Sequence, residues 1–105
     1  MAKIKRLLPD DRKEQLLNVA LKLAEKDGLA GLQRAAIAEA AGVSVGLVTW
    51  RFGTMVKCRR EVMRAAIQRR VMRIIAEGVA TRDPQALKAP PALRFEAMGA
   101  VAGQR

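Results

Sequence analysis

Residues 37 to 52 read Ile-Ala-Glu-Ala-Ala-Gly-Val-Ser-Val-Gly-Leu-Val-Thr-Trp-Arg-Phe, a pattern that leaves few folds open. Ile37, Ala38 and Ala41 fall at helical spacing, and Gly42 follows them where a left-handed backbone ends a helix. Ser44 is placed to cap a second helix, with Val43 before the cap and Val48 after it as a hydrophobic staple. Two short helices joined by so tight a turn form a helix-turn-helix, whose second helix can enter a DNA major groove while the first braces it.

The remaining composition restricts the fold class further. At 105 residues and 50% hydrophobic content, the chain supports one small domain without metals or disulfides. Aromatics are 3%, Tyr is absent, and β-branched residues never alternate with polar ones over a strand's length, so the expectation is an all-α protein. The single cysteine, Cys58, cannot form an internal disulfide and reads as a small packing residue, with a thiolate favoured by nearby Arg and Lys as the alternative. No secretory signal and no stretch of roughly 18 uncharged apolar residues is present, which suits a cytoplasmic, nucleoid-associated protein.

The net charge of +10 is unevenly spread. Residues 56–82 hold eight Lys or Arg against two acids, and within them Lys57, Arg59, Arg60, Arg64, Arg69, Arg70 and Arg73 face only Glu61. Such a run following a helix-turn-helix suits phosphate contact through counterion release; its bland counterpart is a solvated helix face.

Four helical segments and a tail are expected. Residues 1–10 form a basic arm, and a first helix from about Asp11 to Asp27, capped by Asp10 or Asp11, buries Leu16, Leu17, Ala20, Leu21, Leu23 and Ala24 before Gly28 ends it. A second helix runs from about Gln33 to Ala41 and a third from Ser44 to Phe52, completing a DNA-binding unit over 11–53. A long fourth helix fills 54–80. Its Met55, Cys58, Val62 and Ala65 close the unit, while Met63, Ile67, Val71, Ile74 and Ile75 form a surplus apolar seam. A second copy of the chain is the expected occupant of that seam, making a homodimer; the alternative is that the seam folds back on the tail. The Pro/Ala-rich tail, 81–105, is expected to be largely irregular, with at most a short helix from Leu93 to Met98 packed through Leu93, Phe95 and Met98.

The block from Ile37-Ala38 through Ala41-Gly42-Val43-Ser44 and Gly46 to Phe52, preceded by a helix ending at Gly28 and followed by a longer helix, resembles the N-terminal DNA-binding domain of the TetR family of bacterial repressors over about residues 11–65. The resemblance implies that Gln33 and Arg34 touch phosphate or a base, that Val45, Gly46 and Leu47 approach base edges, and that Thr49, Trp50 and Arg51 meet the backbone or a neighbouring base. Departures are visible as well. Thr49 stands where the family usually has Tyr, Met55 where a phosphate-binding Lys is common (with Lys57 two residues on), and Leu32 and Gln33 where threonines often begin the second helix. Family members normally continue into a domain that binds a small molecule and dimerises, and 105 residues leave no room for it. The expectation is therefore a minimal homodimeric repressor on double-stranded DNA, with no cofactor, metal, membrane or small-molecule ligand.

Val45 and Leu47 carry no hydrogen-bonding group, so base reading is expected to rest on thymine methyl contacts, on Ser44 or Gln33, and on Arg51 or Arg34. Trp50 is either a surface anchor or a core aromatic. With no His, no Tyr and one Cys, the residue sets for metal, nucleophilic and acid-base catalysis are missing, and an enzyme is not expected. The competing non-enzymatic reading is an interaction module that pairs with another regulator through the fourth helix; a basic amphipathic helix on an anionic membrane is a weaker third.

Overall fold

The computed structural model describes residues 9–102, and among them it contains helices and no strand. They are α1 (Pro9–Asp27), α2 (Arg34–Ala41), α3 (Val45–Phe52), α4 (Met55–Arg69), α5 (Met72–Ala80), α6 (Pro84–Leu87) and α7 (Pro91–Ala102). The basic arm expected at 1–10 lies outside the described residues except for Pro9 and Asp10. These two already belong to α1, which begins two residues earlier than expected. Proline suits a first helical turn because its missing N–H has no partner there, and Asp10 and Asp11 sit at the positive end of the helix dipole. Leu16, Leu17, Ala20, Leu21 and Ala24 form the buried stripe of α1.

The two short helices end and begin by local chemistry. Gly42 adopts φ 70°, its N–H donates to the carbonyl of Glu39, and the Val43 N–H reaches back to Ala38, which together close α2. Ser44 then caps α3, its Oγ accepting from the Leu47 N–H at 3.1 Å. Inside, Ile37, Val48, Phe52, Cys58 and Val62 join the α1 stripe in one core. Burial of a Val or Phe side chain stabilises by roughly 1.5–3 kcal/mol, so Val48 and Phe52 are the principal apolar anchors of α3.

Two polar ties lock this trihelical body. The Arg51 guanidinium, on α3, donates Nε–H to the Lys13 carbonyl of α1 at 3.0 Å and makes a two-pronged pair with Glu61 of α4. The connection from α1 to α2, loose by composition, is fastened by Glu77 of α5, whose carboxylate accepts from the Leu29 and Ala30 N–H groups at 2.7 and 2.9 Å. Gly28 permits that approach with φ +95°.

The expected single helix over 54–80 is two helices. At Arg70 the chain turns left-handed (φ 58°, ψ 45°), the Arg70 N–H bonding to Ile67 and the Val71 N–H to Ala66, the same paired closure that Gly42 makes. Arg82 repeats it at φ 60°, with Asp83 N–H on Gly78 and Arg82 N–H on Val79. Glycine normally signals such a turn, and neither position carries it.

The break redirects the apolar seam inward. Met63, Ile74 and Ile75 are fully buried in the protomer, and Ile67 and Val71 are half-buried against its core, so these five do not present a seam to a second copy. Their partners are the protomer's own helices, for α5 packs on α7, and α4 and α5 both pack on α6. Gly78 marks the tightest crossing: a Cβ there would stand 2.6 Å from the Ala86 Cβ. The described part of the tail is accordingly helical, not irregular. Asp83 caps α6 through Gln85 and Ala86 N–H groups, and Pro84 and Pro91 occupy first-turn positions where proline starts a helix. Leu93 and Ala97 are the residues α7 buries, whereas Phe95 and Met98 face solvent.

Two substitutions test these turns and ties. Arg82→Gly removes left-handed strain at an exposed site and is expected to stabilise by about 0.5–1 kcal/mol, read as a rise in thermal midpoint. Arg51→Ala should cost about 1–3 kcal/mol, with Arg51→Ala/Glu61→Ala less destabilised than the sum of the single changes in a double-mutant cycle by urea denaturation.

Candidate nucleic-acid interface

The outward side of α3 combines exposure with an unusual lack of polar atoms. Val45 is 48% exposed and Trp50 57%, Gly46 and Thr49 are exposed, and Leu47 is half-buried. Trp50 therefore lies on the surface and not in the core. Lys13 of α1 stands over it, Nζ 5.7 Å from the ring centroid, at the outer range of a cation–π contact. Lys13 was not among the expected interface residues; it is 37 positions from Trp50, and only the packing of α1 beside α3 brings a second cation to this face.

Among the expected residues, Ser44, Gln33 and Lys57 bring available polar side chains to the surroundings of α3. The Ser44 hydroxyl accepts from Leu47 yet keeps its own proton to donate. Gln33 is exposed at the N-cap of α2 with no side-chain capping bond, so its amide is uncommitted there. Lys57 is exposed in the first turn of α4, which Thr54 caps through the Lys57 N–H at 3.2 Å. The Thr49 hydroxyl, on a residue expected to meet the DNA backbone or a neighbouring base, donates to the Val45 carbonyl at 3.2 Å.

The two expected arginines are withdrawn from this face. The Arg51 side chain is 11% exposed and bound to Lys13 and Glu61 as described. Arg34 donates Nη2–H to the Gly53 carbonyl at 3.0 Å, and its buried Nε has no hydrogen-bond partner. Both act as positioning residues. Arg34 ties the start of α2 to the turn after α3, and Arg51 ties α3 to its neighbours. Nothing in their local sequence separates them from arginines that point outward, because the partners that hold them are distant in the chain.

Other chemistry is weak at this surface. Cys58 is fully buried, and its thiol is pushed up to about 11 chiefly by burial and then by Glu61, against the opposing pull of Arg59, Arg51 and Arg34. It therefore stays protonated, which settles the packing reading over the reactive one. Among the described residues no group of three His, Cys, Asp or Glu is placed to hold a metal ion, and no helix is long and apolar enough to cross a membrane.

This geometry coincides with a family match. Residues 16–62 match the sequence profile of the family described as "Bacterial regulatory proteins, tetR family". No curated protein and no solved structure matches the chain. The matched span starts at Leu16 in the buried stripe of α1 and ends at Val62 in the core-facing stripe of α4, so it takes in the capped turn, the exposed α3 and the ties that hold it. Residues 16–62 form an N-terminal helix-turn-helix domain of the TetR family.

Proposed function

We propose that this DNA-binding transcription regulator is a repressor that occupies a twofold-symmetric operator as a homodimer, each copy presenting α3 to a major groove. Gly46 is the observation that carries this reading. A glycine in the first turn of a short helix costs up to about 1 kcal/mol relative to alanine. The protomer supplies no reason for it: a Cβ at 46 would meet only the Ser44 Oγ, at an ordinary 3.8 Å, and the backbone is not left-handed. A position that the fold would fill with a side chain, flanked by exposed Val45 and Trp50, suits the close approach of a duplex.

Specificity in this reading comes from apolar contact with thymine methyls by Val45 and Leu47 and from hydrogen bonds by Ser44 and Gln33, with Trp50, Lys13 and Lys57 beside the phosphates. So few directional groups make a single copy a poor discriminator, and two copies square the discrimination. The reading needs no small-molecule effector, cofactor or catalytic step, and it sets the protein to work on the nucleoid in the cytoplasm.

With the expected seam buried, the pairing surface proposed in its place is the outer side of α7. Phe95 is 84% exposed there, Met98 42% and Val101 37%. Gly99 beside them meets nothing within 4 Å where its Cβ would be, so a partner backbone has room to approach. The same patch favours the second reading, an interaction module that pairs with a different regulator.

Two measurements decide these points. Operators are first selected from a random duplex pool at two salt concentrations; enriched half-sites should lie about one helical turn apart. On the winning operator, Gly46→Ala is expected to stabilise the fold while weakening affinity at least about tenfold; unchanged affinity would overturn the α3 assignment. Sedimentation equilibrium should show a dimer that Phe95→Asp converts to monomer, whereas a chain already monomeric without DNA favours the interaction module.

A further inference from the structure

The structure divides the arginine-rich run into two populations. Arg69 and Arg70 are each held by a carboxylate, from Glu14 and Glu96 respectively, both at 2.5 Å. Arg59, Arg60 and Arg64 make no ion pair among the described residues, and they converge. Together with Val56, Asp83, Pro84 and Gln85 they line a groove of about 360 Å³ between α4 and α6.

The wall chemistry of that groove is specific. Arg60 and Arg64 lie one turn apart on α4, and Arg59 beside them is half-buried. The Arg64 Nε–H donates to Gln85 Oε1 at 3.1 Å, which orients the guanidinium and leaves its terminal N–H groups without a hydrogen bond among the described residues. The one carboxylate present, Asp83, has its Oδ1 occupied by the Gln85 and Ala86 N–H groups. Three guanidiniums against one committed carboxylate give a net positive recess with planar, forked donors, the geometry that matches phosphate oxygens. Val56, 59% exposed, and Pro84 add apolar wall for the organic part of a phosphate ester.

We propose that the α4–α6 groove is a phosphate-ester site separate from α3, with Arg59, Arg60 and Arg64 as its anion ligands. Two sources share this chemistry: the backbone of DNA flanking the half-site, which rests on the operator-binding reading above, and a free phosphorylated small molecule, which does not. On the first source the groove lengthens the footprint along α4; on the second it loads an anion onto the helix whose first turn adjoins α3.

The test uses the full chain and Arg60→Ala/Arg64→Ala, two exposed helical positions where alanine is well tolerated. Calorimetric titration with inorganic pyrophosphate, without DNA, is expected to show one saturable site that the double variant loses and Gly46→Ala keeps. Affinity for the selected operator is then followed against salt. If flanking phosphates are the source, the slope of log K against log salt is expected to fall by about 2 in the double variant, near 0.9 per contact, with base preference unchanged. An unchanged slope together with loss of the pyrophosphate site identifies the free anion as the source. No pyrophosphate site and no change of slope overturns the proposal. Because the titration omits DNA, a chain that failed to bind any operator would still answer it.

Discussion

The orientation of α3 depends on the Arg51 guanidinium. A helix of eight residues, flanked by glycines at 42 and 53, has too little hydrogen-bonded length to persist alone, so its geometry is borrowed from what it touches. Val48 and Phe52 supply the apolar grip, but apolar contact is non-directional and tolerates rotation about the helix axis. Arg51 removes that freedom by bonding α1 and α4 at once, and Arg34 does the same for the turn that follows α3. Arg34 and Arg51 are thus spent on holding α3 in place, and the side of α3 they leave outward is mostly apolar.

A second constraint shapes the rest of the molecule. Left-handed residues at Arg70 and Arg82 fold the apolar surplus of α4 and α5 onto α6 and α7, so that one core runs from Leu16 to Ala97. Each such turn stores of order 1 kcal/mol or more of backbone strain, offset by the burial that it permits, with Met63, Ile74 and Ile75 alone removing three large side chains from water. Glu77 joins this half to the DNA-binding half, since a single carboxylate on α5 holds the backbone of the α1–α2 connection.

Charge follows the same division. Of a run that looks uniformly basic along the chain, part is neutralised by acids brought in from α1 and α7, and part is left to face solvent in the groove by α6. The electrostatic footprint that matters for a polyanion is the unpaired remainder, not the net charge of the chain.

Features set within a few residues of one another were legible before any coordinates: the Gly42 turn, the Ser44 cap, the helical class, the end of α1 at Gly28 and the inward spacing of Val48 and Phe52. Each is decided by backbone sterics or a hydrogen bond inside one turn, so local residues suffice. Prolines at 84 and 91 misled, because proline stops a helix from within but starts one at its first turn, and composition does not say which. Arg70 and Arg82 were invisible, since a left-handed arginine is disfavoured locally and persists only where burial elsewhere outweighs it. Which arginines are free, what covers the seam of Met63 to Ile75, and why Lys13 meets Trp50 were settled by tertiary packing alone. Their partners lie from about ten to more than fifty residues away, as Arg51 from Glu61 and Arg69 from Glu14, and no local propensity encodes a contact across that distance.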